Sequence, residues 1–172
     1  MSEKSFPDLE STGREKLALT RFIRRKAGYR SVWILCNLSL RDKVQCQQSK
    51  KGIFVCYEVK SCREDVFSGN GLNFIGEKNY IVTTMQCYKE ILEDYRNGTL
   101  DEHVKKMNGK KRSYGILVAM PSGADPYEEM KNPTLLESEC KWELKTMIQC
   151  YECYREKSMT ELLFCMLRSG KN

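Results

Sequence analysis

Several things that would define a function class are scarce in this sequence. In 172 residues there are one histidine (His103), four prolines, eleven glycines and two tryptophans. A single histidine cannot supply a set of imidazoles, so any four-ligand zinc site would have to be mostly thiolate. Few prolines and glycines, with 41% hydrophobic and 30% charged residues, argue that most of the chain folds. No apolar run approaches the ~18 residues that a membrane-spanning helix needs. Residues 1–16 are polar and lack the apolar core of a signal peptide, so secretion is not expected.

An excess of acid is also missing. The chain has 29 Lys and Arg against 23 Asp and Glu, a net charge of +6. Residues 14–30 hold seven bases (Arg14, Lys16, Arg21, Arg24, Arg25, Lys26 and Arg30) and one acid, Glu15, which leaves 22 of each sign elsewhere. The surplus therefore belongs to one stretch. That excludes a uniformly basic, histone-like chain and an acidic solvating tail, and it points to a neutral body with a cationic arm facing an anionic partner.

Cysteine is the exception, with nine present. Their spacing does not form a zinc framework: Cys150 and Cys153 make the one C-x-x-C pair, without a second pair at finger spacing. Cys36, Cys56, Cys87, Cys150 and Cys165 fall among apolar residues, where a free thiol packs as a small hydrophobe. Reduced thiols in the cytosol are the expectation.

Along the chain, residues 1–13 read as a flexible arm and 14–26 as a short helix ended by Gly28. Residues 29–40 alternate as a strand, with Val32, Ile34, Cys36, Leu38 and Leu40 on one side. Residues 41–52 read as a polar connection and 53–59 as a second strand, paired antiparallel with the first. Residues 61–80 read as irregular, with turn chemistry at 68–71. Thr83 and Gln86 form a capping box that opens a helix with an apolar stripe of Met85, Tyr88, Ile91, Leu92 and Tyr95, closed by Arg96, Asn97 and Gly98. Thr99 and Glu102 suggest another box and a short helix to about Met107.

Residues 114–120 are a continuous apolar run, which predicts a central strand covered on both sides. A helical turn is expected near 127–131, and a strand over 142–154, although Leu144, Met147, Ile148 and Tyr151 also fit helical spacing. Ser158 and Glu161 form a third capping box before a last helix stopped by Gly170. The prediction is one α+β domain, with an antiparallel sheet packed against two or three helices and a flexible basic N-terminal arm. Its boundaries are 1–28 for the arm and 29–172 for the globular part.

Catalytic constellations are weak. A Cys–His pair would need His103, which lies in a charged segment and reads as a solvated histidine. Glu128 and Glu129 read as a solvated acidic face. Residues 68–71 lack the Lys-Ser/Thr of a phosphate loop. Neither catalysis nor a cofactor or metal is expected. The basic segments carry more. Arg21, Arg24, Arg25, Lys26 and Arg30, interleaved with Phe22, Ile23 and Tyr29, suit phosphates or lipid headgroups. Lys105, Lys106, Lys110, Lys111 and Arg112 form a second cationic run. Both also read as nuclear-import addresses.

The order of these segments resembles a known family. The strand at 29–40 is followed by a helix ending Asp94-Tyr95-Arg96-Asn97-Gly98. Then come the basic turn and apolar strand of 109–123 and the alternating strand of 141–151. This succession, over roughly residues 29–155, is similar to rhabdovirus matrix proteins, in size those of plant-infecting, cytorhabdovirus-like members. The resemblance implies an α+β fold with an antiparallel sheet and a virion protein of the host cytoplasm that associates with itself. It also implies that the protein condenses the nucleocapsid, links it to the anionic inner membrane surface and lowers viral transcription. The ten basic residues above would then face nucleoprotein–RNA or lipid. Pro7 is the one proline of the arm, so a Pro-rich budding motif is not expected. An RNA-binding regulator, such as a suppressor of host defence, is the alternative.

Overall fold

The computed structural model describes residues 34–36, 44–48, 53–109, 113–136 and 140–169, of which 34–36, 44–48 and 165–169 are described as backbone. Among these residues six strands form one sheet in the order of the sequence: β1 (Ile34–Cys36), β2 (Val44–Gln48), β3 (Phe54–Val59), β4 (Lys78–Thr84), β5 (Gly115–Pro121) and β6 (Trp142–Ile148). Among the described residues five helices lie between and after them: α1 (Arg63–Val66), α2 (Met85–Arg96), α3 (Thr99–Asn108), α4 (Pro126–Lys131) and α5 (Met159–Ser169).

The expected mixture of one sheet with helices is present, but the sheet is mixed rather than antiparallel. β1, β2 and β3 form an antiparallel meander. β3, β4 and β5 then run parallel, and β6 returns antiparallel to β5. Two parallel neighbours in succession require two crossovers, and the segments carrying α1 and then α2 with α3 supply them. Two strands hidden by their composition account for the difference from the expected topology. β2 lies within the segment read as a polar connection, so the predicted pair at 29–40 and 53–59 has a strand between its members. β4 lies partly in the segment read as irregular.

The two sides of the sheet are covered differently. Ile81 of β4 and Ile116, Val118 and Met120 of β5 join Met85, Tyr88, Ile91, Leu100 and Val104 of α2 and α3 in the larger core cluster. The alternate residues Val59, Tyr80, Val82, Leu117 and Ala119 meet Cys150 on the other side, with Tyr57, Leu136, Trp142 and Leu144 packed at its margin. Each fully buried aliphatic side chain of this kind contributes ~1.5–3 kcal/mol. β5 is buried along its length except at Pro121, as its unbroken apolar run predicted.

Local signals explain the helix ends. Thr84 caps α2, its Oγ1 accepting from Cys87 N at 3.3 Å. The predicted box began one residue earlier, but Thr83 is the buried penultimate residue of β4. Gly98, with φ 85°, closes α2 and opens α3 in one turn. Asn97 Oδ1 serves as local cap by accepting from Thr99 N at 2.9 Å, so the predicted Thr99 cap is displaced into the helix. At α5 the Ser158–Glu161 box is present in both directions: Glu161 N donates to Ser158 Oγ at 3.1 Å and Ser158 N to Glu161 Oε2 at 2.9 Å. The predicted N-terminal arm, residues 1–28, lies outside the described residues.

Candidate functional site

Glu58 is the penultimate residue of β3 and Lys60 follows the strand directly. Two residues apart in extended chain, they leave the backbone on the same side. That is the helix side, because Tyr57 and Val59 face the opposite cluster. Lys60 continues the parallel ladder, its N–H donating to Val82 O at 3.0 Å while Thr83 Oγ1 donates to Lys60 O at 2.7 Å.

Lys60 is 1% exposed and Glu58 4%. The ammonium Nζ donates to the carbonyls of Asp65 at 2.9 Å and Asn70 at 2.6 Å. It also stands 3.5 Å from Asp65 Oδ1 and 3.9 Å from Glu58 Oε1. One buried cation is thus held by two carboxylates and two carbonyl dipoles. Desolvating three charges costs several kcal/mol per ion, and a well-packed apolar group of similar volume would often stabilise the fold as well or better. Stability alone is therefore a poor reason to place charges here. The carboxyl ends of parallel strands are where open α/β sheets bind ligands.

The segment closing over this cluster is bent out of ordinary backbone. Gly69, Gly71, Leu72 and Phe74 all have positive φ, at 74°, 79°, 58° and 46°. Leucine and phenylalanine rarely occupy that region, and each costs ~1–3 kcal/mol there. Glycine is required at 71 for a second reason: a Cβ there would overlap the Glu58 carboxylate. The loop is tied down at its far side by Asn108 Nδ2, which donates to Leu72 O at 2.7 Å.

Two polar atoms beside the cluster are buried without a hydrogen-bond partner among the described residues, Ser61 Oγ and His103 Nε2. His103 is not the solvated residue that its charged neighbours predicted. Its ring packs on Phe67 with centroids 4.9 Å apart. Burial, with Lys60 and Lys106 nearby, holds its imidazole below the usual range, against the effect of a hydrogen bond with the Val66 backbone. Buried polar atoms left open in this way are candidates for a ligand contact.

Of the basic residues singled out in the sequence, Lys105 and Lys106 lie exposed in the last turn of α3, where their charge complements the helix dipole. Arg21, Arg24, Arg25, Lys26, Arg30, Lys110, Lys111 and Arg112 lie outside the described residues. The acidic pair divides. Glu128 is exposed and bonded to Lys131 Nζ at 2.9 Å. Glu129 is buried, and its carboxylate accepts from Thr134 N and Oγ1 at 3.1 and 2.7 Å. The side chains of Cys56, Cys87 and Cys150 are buried, as expected, and burial pushes the Cys87 thiol far above its ordinary range. No group of three or more His, Cys, Asp or Glu side chains among the described residues is arranged to hold a metal. Glu58 and Asp65, flanking Lys60, are the carboxylates a cation would meet at this end of the sheet.

The Glu58–Lys60 pair was readable as an alternation at a strand end, but the residues that bury it lie in a segment read as irregular. Compared with family models, with curated proteins and with solved structures, the chain matches none of them.

Proposed function

We propose that the protein acts on phosphodiester bonds of nucleic acid with the help of a divalent cation. The observation that carries this reading is the gathering of Glu58, Lys60 and Asp65 at the carboxyl end of parallel strand β3. A Mg²⁺ ion commonly uses only one or two protein carboxylates, the rest of its shell being water and phosphate, and once bound it supplies Lewis acidity. The residues of the chain do the rest. Glu58 and Asp65 would hold the cation beside Lys60. Lys60 Nζ is a fixed donor for the negative charge that develops on a phosphoryl group. Ser61 Oγ and His103 Nε2, buried without a hydrogen-bond partner among the described residues, would serve as contacts to the phosphate or its water. Lys105 and Lys106 add attraction to the backbone of either nucleic acid, whatever its sequence.

The test is incubation of single- and double-stranded DNA and RNA with the protein and Mg²⁺ or Mn²⁺. Cleavage that chelation abolishes, and that Glu58→Gln or Asp65→Asn removes while the far-UV spectrum stays unchanged, is the expected result. No cleavage of any substrate, with a melting temperature indifferent to either cation, counts against the reading.

A second reading keeps the matrix-like role: self-association and bridging of ribonucleoprotein to an anionic membrane surface. It draws on the exposed apolar side chains Tyr151, Tyr154, Leu163 and Phe164 near the carboxyl end of the chain. The mixed sheet differs from the antiparallel one that the resemblance implied. Sedimentation at falling salt together with liposome flotation discriminates the two, because a cation-dependent hydrolase needs neither assembly nor lipid.

A further inference from the structure

The ion cluster lies almost wholly out of solvent, and this limits what can reach it. Lys60 and Ser61 are both buried, Ser61 being 5% exposed, and Ser61 Oγ has no hydrogen-bond partner among the described residues. A phosphate on the outside of a paired duplex is carried on a stiff cylinder and cannot follow the chain into such a place. An unpaired strand can, since no base pairs have to be broken to bend it inward.

Flat side chains lead from the cluster to the surface. The ring of His103, on α3, lies 4.9 Å centre to centre from the ring of Phe67 and is tilted 51° to it. The guanidinium carbon of Arg63 stands 4.9 Å from the centre of the same Phe67 ring. His103 and Phe67 are half-buried and Arg63 is exposed. Arg63 opens α1 and is held at two points by Asp94, Nε donating to Oδ2 at 2.6 Å and Nη2 to Oδ1 at 3.0 Å. A two-point pair of this kind fixes the guanidinium plane, yet 46% of the Arg63 side chain stays exposed. Because Asp94 balances its charge, Arg63 offers a surface more than a cation. The cations are the lysines: behind burial, Lys60 and Lys106 both lower the His103 imidazole, so a buried and an exposed ammonium stand near it.

We infer that Arg63, Phe67 and His103 receive the unpaired end of a nucleic-acid strand, its terminal base stacked on Arg63 and its phosphate reaching Ser61 Oγ and Lys60 Nζ. The inference rests on the nucleic-acid reading above and deepens it by naming the form of the substrate. Guanidinium and aromatic planes stack on any base, because every base has a π face. Lys60 and Arg63 are three residues apart, at most ~11 Å of chain, so one strand end covers both. Lys106 adds attraction that does not depend on sequence. A blunt duplex gains less, because its phosphates stay outside.

The experiment is fluorescence anisotropy of an internally labelled single-stranded DNA oligonucleotide with the full chain and a chelator, so that cleavage does not enter. Saturable binding is expected. It should be about tenfold weaker for the blunt duplex of the same sequence, and about fivefold weaker for a strand whose terminal nucleotides lack their bases. Phe67→Leu, which keeps apolar bulk without a ring, should weaken binding by about fivefold, while Phe67→Tyr should bind as the parent does. Arg63→Lys should follow Phe67→Leu, because it keeps the charge and loses the plane. Absence of single-strand binding overturns the inference. So does equal affinity for the duplex, or binding indifferent to both Phe67→Leu and Arg63→Lys. Cleavage assays separate this from the cation chemistry. A chain that binds strand ends in this way but cleaves nothing with Mg²⁺ or Mn²⁺ keeps the stacking surface and loses the hydrolase. Cleavage within duplexes as fast as at strand ends keeps the hydrolase and overturns the stacking surface.

Discussion

The two ends of the parallel strands solve the burial of polar groups in opposite ways. At the carboxyl end the chain buries full charges, with Lys60 between Glu58 and Asp65 under a strained loop. At the amino end it buries neutral groups. Asn79 is fully buried, its Oδ1 accepting from Gly76 N at 3.1 Å and its Nδ2 donating to Gly76 O at 3.0 Å. Its backbone N–H and side chain also reach the sulfurs of Cys150 and Cys153 at 3.3 and 3.7 Å. The charges at this end, Glu77 and Arg155, lie nearer the surface, pair at 3.2 Å and pin the segment after β6 to the start of β4. Residues 153 and 156 complete that clasp through backbone bonds to Glu77 O and Ile75 O at 2.9 and 3.0 Å. Buried neutral hydrogen bonds each return a modest net stability, whereas buried ion clusters can return nothing. The amino end is thus built to hold, and the carboxyl end carries the function proposed above.

Variants at each end can break that contrast. The largest effect is expected from Lys60→Met, which removes the buried ammonium that faces Glu58 and Asp65. It should cost about 3–5 kcal/mol in urea unfolding, and Glu58→Gln with Lys60→Met should recover part of the loss. No recovery would mean that the lysine packs rather than compensates charge. Gly71→Ala should cost about 1–3 kcal/mol from the positive φ alone, with more from the overlap with Glu58, and should lower cleavage along with stability. At the other end, Asn79→Ala should cost about 1–3 kcal/mol by leaving Gly76 groups unpaired, without altering cleavage.

Tyr114→Phe removes the 2.7 Å hydrogen bond to Asp101 and should cost about 1 kcal/mol. Its phenol is held protonated far above the ordinary 10.0, by burial first and then by the bond to Asp101. The folded state thus keeps a proton that the unfolded chain releases, and stability should fall as pH climbs beyond 10, less so in the Phe variant. The smallest effect belongs to His103. Because its value lies below the ordinary 6.5, the unfolded chain takes up the proton first. Its contribution is present above pH 6.5 and lost on acidification. Urea midpoints at neutral and mildly acidic pH should separate less in His103→Gln.

How far the sequence anticipated this molecule depended on how a segment announces itself. β5, α2 and the α5 cap were legible because an apolar run, a 3.6-residue stripe and a reciprocal Ser–Glu box are local signals. β6 was legible as an alternation, and its strand assignment prevailed over helical spacing because β5 lies beside it. β2 was not legible, since Gln45, Gln47 and Gln48 carry no apolar period. β4 was hidden because Lys78 and Asn79 open it with polar side chains whose burial becomes clear only when Gly76 and Cys153 are in place. The carboxyl-end cluster was missed for a related reason. Glu58 and Lys60 stand at the end of the strand read over 53–59, and nothing local shows that residues 65–72 fold back over them.

That covering loop also sets a timescale. Leu72 and Phe74 store backbone strain only while the loop is closed, so local opening releases it and needs less free energy than unfolding the sheet. Amides of residues 68–76 should exchange with solvent water well before those of β4 and β5. Early exchange there would mean that Lys60 is uncovered for a small, renewable share of the time, and that access to the ion cluster is a matter of population rather than of shape.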